Sequence, residues 1–453
     1  MGKYFGTDGV RGVANRELTP EIAFQLGRAG AYVLTKQSTK SHPRVLIAND
    51  SRRSGDMLEA ALTAGLCSIG AQVFKAGTLP TPAVSFLIGK YNMDAGIMIS
   101  ASHNPMQDNG IKFFSGDGYK LPDAIEDEIE SYISLDGKDS LPRPEGEGVG
   151  ILGACPYAME DYVSFLLETV PGIRLDGYKI ALDCANGATS VVAPMVFERL
   201  GAEVHTLSNR PNGSNINAGC GSTHMEQLKK YVASQKVDLG IAFDGDGDRM
   251  LAVDENGEVL DGDVILAICG LDLNERDLLL KNTLVATSMS NQGLELFCKE
   301  NKIKLERTDV GDRYVLKKML DDELTLGGEQ SGHYIFRQFC NTGDGILSGL
   351  QLISVMLRKK KTLSELAITM ETFPQILVNT IVPNNRKPEL ATNKAIQKMK
   401  AEMEAELAGE GRILLRPSGT EPLVRVMLEG RDGDKITKMA NELANLIVQE
   451  LAG

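Results

Sequence analysis

The sequence predicts an α/β fold: three similar α/β domains with mixed sheets, followed by a smaller α+β domain. Three observations predict it. A strand–helix–strand pattern recurs roughly every hundred residues, each copy ends in a loop rich in glycine and polar groups, and 453 residues are too many for one hydrophobic core.

Each copy opens on an apolar β-type run: Val45-Leu-Ile-Ala-Asn-Asp50, Ile180-Ala-Leu-Asp-Cys-Ala185 and Leu284-Val-Ala-Thr-Ser288. A helical stretch and a second strand follow, at Gln72-Val-Phe-Lys75, Glu203-Val-His-Thr206 and Lys304-Leu-Glu-Arg307. That order and spacing mark a βαβ unit. A third apolar segment then runs into each loop. Gly96-Ile-Met-Ile leads to Ser100-Ala-Ser-His-Asn-Pro105, Leu239-Gly-Ile-Ala-Phe to Asp244-Gly-Asp-Gly-Asp-Arg249, and Leu324-Thr-Leu to Gly327-Gly-Glu-Gln-Ser-Gly-His333. Open α/β sheets bind ligands beyond the carboxyl ends of their strands, so three equivalent loops point to one shared cleft.

Punctuation sets the expected domains at 1–150, 151–254, 255–371 and 372–453. The first boundary lies in the Gly/Pro-rich stretch Asp136 to Gly150, the second at the turn Asp254-Glu-Asn-Gly257, and the third ahead of the segment Pro374 to Pro388. The last piece reads as strand, helix around Ala391 to Leu407, two strands around Arg416-Pro-Ser-Gly-Thr-Glu-Pro422, and a final helix. It is not a fourth copy.

Composition narrows the function. Hydrophobic content of 42% with 24% charged residues is that of an ordinary globular protein. A net charge of −13 argues against nucleic acid or an anionic membrane as partner, since both require a basic surface. No apolar run is long enough to span a bilayer and the N-terminus has no signal core, so a cytoplasmic protein is expected. The seven cysteines form no C-x-x-C pair and read as reduced thiols.

The loops carry the chemistry. In Asp244-Gly-Asp-Gly-Asp-Arg, alternate carboxylates separated by permissive glycines can converge on one hard, oxygen-loving cation. An EF-hand loop has Glu255 in its favour at position twelve, but Arg249 stands where that loop needs glycine, and the flanks are strands. A solvated acidic turn is the plainer alternative. Ser100-Ala-Ser-His-Asn-Pro fits a nucleophilic serine and a capping turn about equally. Beside a carboxylate–metal site a phosphoryl carrier gains sense, because phosphoserine oxygens can complete the metal's shell. Arg416 to Pro422, with Arg425, offers guanidinium, hydroxyl and backbone donors to a phosphate; a turn in which Arg416 pairs with Glu421 is the alternative. Arg11 and Lys112 add cations that suit either a phosphoryl contact or a surface. Glu329, Ser331 and His333 suit sugar hydroxyls and many ordinary loops alike.

Together, and in this order, the four motifs resemble those of the α-D-phosphohexomutase superfamily, over essentially the whole chain. The opening Tyr4-Phe-Gly-Thr-Asp-Gly-Val-Arg-Gly12 resembles its hexosamine-phosphate branch, as do Asn109-Gly-Ile-Lys-Phe113, Val310-Gly-Asp-Arg-Tyr-Val315 and Leu423-Val-Arg-Val-Met427. The resemblance implies four domains around a central cleft, the last like the TATA-binding protein. It implies interconversion of glucosamine 6-phosphate and glucosamine 1-phosphate through a 1,6-bisphosphate, on the route to UDP-N-acetylglucosamine. It further implies a phosphorylated Ser102 and one Mg²⁺ per chain held by Ser102, Asp244, Asp246 and Asp248. Lys112, Arg11 and His103 fall on catalytic positions, Glu329 and Ser331 on the sugar loop, and Arg416, Ser418, Thr420 and Arg425 on the phosphate loop. The expected partner is a hexosamine phosphate, with no nucleic acid or membrane, and the chain a monomer or homodimer. A phosphoglucomutase or phosphomannomutase, a metal-dependent sugar phosphatase and a non-catalytic sugar-phosphate sensor are the rival readings.

Overall fold

A computed structural model describes residues 4–6, 8–36, 38–133, 140–407, 409–418 and 422–451. They form two compact units, Met1–Ser288 with Glu306–Ala367, and Met289–Leu305 with Ile368–Gly453.

In the first unit, β1 (Val10–Val13), β2 (Arg44–Asn49), β3 (Gln72–Thr78), β4 (Ala95–Ile99), β5 (Asp108–Ser115) and β6 (Leu152–Ala154) make one sheet in the order β1-β5-β4-β2-β3-β6. Strands β7 (Lys179–Asp183), β8 (Glu203–Leu207), β9 (Leu239–Phe243), β10 (Met250–Val253) and β11 (Val259–Leu260) make a second, ordered β11-β10-β9-β7-β8. Strands β12 (Thr283–Thr287), β13 (Lys304–Thr308), β14 (Leu326–Gly328) and β15 (Tyr334–Phe336) make a third, ordered β13-β12-β14-β15. The repeat read from the sequence becomes a repeated topology. The first strand of each copy has the second on one side and the third on the other, and an antiparallel strand follows the third. Strands β4, β9 and β12 are buried at every residue, as central strands covered on both faces must be.

Helix starts are capped as their sequences dictate. Thr19 accepts from Ile22 N ahead of Pro20, Asp261 from Asp263 N and Val264 N, and Asp344 from Leu347 N at the head of helix Gly345–Lys359.

Two strand pairings cross the punctuation. Strand β6 pairs in parallel with β3, which carries the first sheet past residue 150. The Asp254–Gly257 turn lies inside the β10–β11 hairpin, so the second sheet runs on to Leu260. A turn signal marks a hairpin as readily as a domain joint. Part of the first expected linker, residues 136–139, lies outside the described residues.

The second unit holds β16 (Gln375–Ile381), β17 (Gly411–Pro417) and β18 (Leu423–Gly430), antiparallel in the order β16-β18-β17. Helices Lys394–Glu406 and Gly433–Leu451 pack against them around Ile396, Val426, Leu443 and Ile447. Helix Gln292–Glu300, read from the sequence as the third copy's crossover, groups with this unit. Gln292 N donates to Glu429 Oε2 at 3.1 Å and Arg412 Nη2 to Ser290 O at 2.5 Å.

Candidate active site

The three motif loops of the first unit occupy the same topological place, each between the third strand of its copy and the antiparallel return strand. Strand β4 delivers Ser102, β9 delivers Asp244 to Asp248, and β14 delivers Glu329 to His333.

Ser102 sits on backbone held in an uncommon shape, with φ of 52°. The left-handed region costs a non-glycine residue energy and persists only where surroundings enforce it. Here they do. Arg52, buried, donates to the carbonyls of Ser102 (2.8 Å), Asn104 (2.9 Å), Pro105 (2.6 Å) and Asp108 (3.0 Å), and to Asp50 Oδ2 (2.9 Å). Asn217 Nδ2 donates to the Ser102 and Asn104 carbonyls at 2.8 and 3.0 Å. Ser100 Oγ donates to Asp50 Oδ2 at 2.6 Å and accepts Ser102 N at 2.9 Å. The hydroxyl is left aimed inward: Ser102 Oγ donates to Asp244 Oδ2 at 2.6 Å and lies 3.2 Å from His103 Nδ1. Burial, then the positive charges of Arg249 and Arg11, lower the His103 pKa to about 4, so its imidazole is neutral at pH 7.

The acidic loop approaches because Gly245 has no side chain. A Cβ there would meet Ser102 O at 2.5 Å and Asn217 Nδ2 at 2.8 Å. Asp244, Asp246 and Asp248 are 1%, 0% and 4% exposed, with ligand atoms all within 4.8 Å of one another. Burial and the neighbouring charges of Asp248 and Asp246 push the Asp244 carboxyl well above its usual range. Burial acts the same way on Asp246. There the Lys112 ammonium prevails, with hydrogen bonds from Lys112 Nζ (2.8 Å) and Thr81 Oγ1 (2.5 Å) to Asp246 Oδ2, and the pKa falls. Asp246 Oδ1 and Asp248 Oδ1 are buried without a hydrogen-bond donor. Buried orphan acceptors are costly. All-oxygen donors converging this closely fit a hard divalent cation, which would neutralise the repulsion.

Cations line the approach. On β1, Arg11 stands opposite Gly110 of β5 and pairs with Asp8. Lys112, buried on β5, bridges Asp246 and Asp8 (3.0 Å). Burial works against ionisation of Asp8, but Lys112, Lys120 and Arg11 together hold its pKa well below the ordinary value.

The third loop is tied to the second by backbone. Arg249 and His333 form an antiparallel bridge, and Met250 N donates to Gly332 O at 2.9 Å. Gly345 N, at the head of its helix, donates to Gly247 O at 2.9 Å. Glu329 is buried and accepts Gly311 N at 3.1 Å, Ser331 is exposed, and buried His333 accepts Gly343 N on Nε2 at 3.1 Å.

In the second unit, Arg416 and Arg425 face each other across β17 and β18 and line one small cavity with Met289, Leu377, Leu414 and Met427. Two guanidinium groups on one sheet face repel unless an anion lies between them. Ser418 N donates to Leu423 O at 2.9 Å, and Lys387 Nζ to Ser418 O at 2.6 Å. Thr420 and Glu421 lie outside the described residues.

The structure thus brings Ser102, His103, Lys112, Arg11 and the three aspartates together. Several supporting residues were not singled out from sequence: Asp8, Asp50, Arg52, Thr81, Lys120, Asn217 and Asp312. Asp8 and Asp312 sit inside motifs already quoted. Arg52 follows the end of β2, a place where ligand loops gather. Nothing local marks Thr81 or Asn217.

Comparison with known proteins covers the chain end to end. Family models described as phosphoglucomutase/phosphomannomutase domains I, II, III and C-terminal match residues 2–138, 160–257, 261–373 and 377–446. The chain is similar to phosphoglucosamine mutases of Ruminiclostridium cellulolyticum (55% identity over 100% of both chains) and Acetivibrio thermocellus (54%, again 100% of both). Among solved structures, a phosphoglucomutase/phosphomannomutase family protein of Burkholderia thailandensis aligns with a TM-score of 0.80 at 23% identity, over 98% of this chain and 96% of that one.

Proposed function

The chain belongs to the phosphoglucomutase/phosphomannomutase family, and from that premise we propose a phosphoglucosamine mutase working through a phosphorylated Ser102. The reaction is an isomerisation between glucosamine 6-phosphate and glucosamine 1-phosphate. The observation that carries the mechanism is the buried Ser102 hydroxyl, hydrogen-bonded at 2.6 Å to the first of three convergent aspartates.

In the forward direction the phosphoryl on Ser102 Oγ passes to the free 1-hydroxyl of the bound 6-phosphate. The P–O bond to serine breaks as the bond to the sugar oxygen forms. The resulting 1,6-bisphosphate turns over, and its other phosphoryl returns to Ser102. Phosphoryl transfer is chiefly positioning and charge stabilisation. Lys112 and Arg11 supply fixed positive charge at the transferring group. When the phosphoryl leaves, Ser102 Oγ gains the proton that the sugar hydroxyl gives up; when a phosphoryl returns, His103, neutral beside Oγ, can take the serine's proton and the sugar oxygen regains one. Asp244, Asp246 and Asp248, with a phosphoryl oxygen of Ser102, would hold Mg²⁺, which supplies Lewis-acid stabilisation of the transferring charge. Glu329 and Ser331 orient the sugar hydroxyls. Arg416, Ser418, Thr420 and Arg425 grip the phosphate that is not reacting.

The reading divides the chain into four domains, 1–150, 151–254, 255–371 and 372–453, in a monomer or homodimer of the cytoplasm. Seven free cysteines suit a reducing compartment, and among the described residues no helix is long and apolar enough to cross a membrane. Intact-mass measurement tests the carrier: a species about 80 Da heavier should be discharged by substrate. Ser102→Ala should lack it, stay folded and lose turnover. Substantial activity in that variant, or free phosphate released in step with substrate loss, overturns the reading. Relative rates on glucosamine, glucose and mannose 6-phosphates test the sugar.

A further inference from the structure

Two lysines reach Asp8, and the mechanism above uses only Lys112. Lys120 lies across the turn that follows β5, where Phe114 and Lys120 form an isolated antiparallel bridge. The same β extension therefore presents both ammonium groups to one carboxylate, Lys112 to Asp8 Oδ2 at 3.0 Å and Lys120 to Asp8 Oδ1 at 2.8 Å. Lys120 also hydrogen-bonds Asp312 Oδ2, on the first residue of helix Asp312–Asp321. Asp312 Oδ2 is 3.7 Å from His333 Nε2, and His333 Nδ1 is 3.6 Å from Asp248 Oδ2. Hydrogen bonds join the N-terminal motif to Asp312, and His333 lies between Asp312 and Asp248 within ion-pair range of both.

A plainer reading makes Lys120 one fastening among several. Asp117 O accepts Asn341 Nδ2 at 3.1 Å, and Asp123 Oδ1 accepts Arg313 Nη1 at 2.5 Å, so the Asp117–Asp123 segment is held on either side of Lys120. The surroundings separate the cases. The Arg313 and Asp123 side chains are 26% and 74% exposed, and that of Lys120 only 15%. Exposed ion pairs contribute about 0–1 kcal/mol. Removing a buried ammonium shared by two carboxylates leaves like charges facing each other with little water to screen them. Asp8 and Asp312 would then separate, and the carboxylate that lies 3.7 Å from His333 Nε2 would move.

We propose that Lys120 is a positioning residue of the mutase. Its ammonium keeps the Asp312 carboxylate in place beside His333, while holding Asp8 beside Arg11 and Lys112. The sugar-side and phosphoryl-side loops thereby keep a fixed separation. The proposal rests on the mutase reading, and its test is built to fail separately.

Lys120 and Asp312 line a cavity of 410 Å³ with Tyr119, Tyr314, Ile335 and Thr342. A small primary amine can therefore reach the place a truncated Lys120 vacates. The experiment measures kcat and KM of the full chain for wild type, Lys120→Ala, Lys120→Met, Lys120→Arg and Arg313→Ala, with ethylammonium chloride or matched sodium chloride. Lys120→Ala should lose about 10²-fold in kcat, the effect of a misplaced reacting geometry, while KM changes less than about threefold. Ethylammonium should restore at least about tenfold of that loss by replacing the missing charge. Lys120→Arg should retain most activity, and Arg313→Ala should stay within about threefold of wild type, as a pair open to water on its Asp123 side predicts.

A Lys120→Ala enzyme near wild-type kcat, an equal loss in Arg313→Ala, or a loss that neither amine nor arginine restores overturns the proposal. So does failure of both the Ala and Met variants to fold. If wild type itself does not interconvert the two phosphates, the reaction assignment fails instead. Calorimetric Mg²⁺ affinity then reads the proposal: weaker in Lys120→Ala supports it, unchanged overturns it.

Discussion

Two stretches of this chain are dense in acid and have opposite fates. The helix Asp123–Ser131 carries Asp123, Glu126, Asp127, Glu128 and Glu130, more carboxylates than the loop Asp244 to Asp248. Yet its side chains go separate ways. Glu128 pairs with exposed Lys36, Asp123 with Arg313, and Glu130 accepts the backbone N–H groups of Tyr4 and Phe5. In the loop the carboxylates are buried and converge. Acid content alone does not make carboxylates converge. Glycines that let the backbone turn inward, at the end of a strand buried on both faces, do.

The contrast can be broken from either side. Asp246→Ala should lower mutase activity by at least about two orders of magnitude, since it removes both a proposed cation ligand and the Lys112 partner. Glu128→Ala should stay within about twofold, as an exposed pair predicts. Equal effects in a steady-state assay would erase the distinction. A smaller loss, about tenfold or more, is expected for Gly245→Ala, whose new Cβ must displace Ser102 O from 2.5 Å. A crystal structure of that variant should show the Ser102 loop moved. Smaller again is a thermal effect. Mg²⁺ should raise the melting temperature of wild type by a few degrees through binding only the folded chain, and should raise that of Asp246→Ala less.

The smallest effect belongs to the helix. Burial, with Asp123 nearby, raises the Glu126 pKa to about 7. Between the ordinary carboxylate pKa and 7, the folded chain binds more protons than the unfolded one. Stability therefore falls as pH rises through that window and stays lowered above it. Glu126→Gln, which is never charged, should raise the melting temperature at pH 8 and leave it nearly unchanged at pH 4. A gain of the same size at both pH values would exclude ionisation as the cause.

Much of this was legible in the residues. Three apolar runs with matching crossovers announced three related sheets, and each motif loop lies at the same turn of its copy because topology was duplicated along with sequence. What escaped depends on pairing across distance. Nothing near Val10 announces an edge strand against β5, though that pairing puts Arg11 and Lys112 on neighbouring strands. The facing of Arg416 and Arg425 follows from a hairpin register that composition does not encode. Arg52 reads as an ordinary charged residue after a strand, and only the fold shows its guanidinium spent on backbone carbonyls. The Asp254–Gly257 turn shows the converse: local chemistry specifies a bend and is silent about the β10–β11 pairing around it.

The grip on the backbone at Ser102 has a consequence for how the reaction must run. With its carbonyl, its amide and the following turn all pinned, this side chain behaves as an anvil and not as a swinging arm. As the proposed carrier it would not travel from one end of a hexose to the other, so the workpiece would have to be flipped between blows.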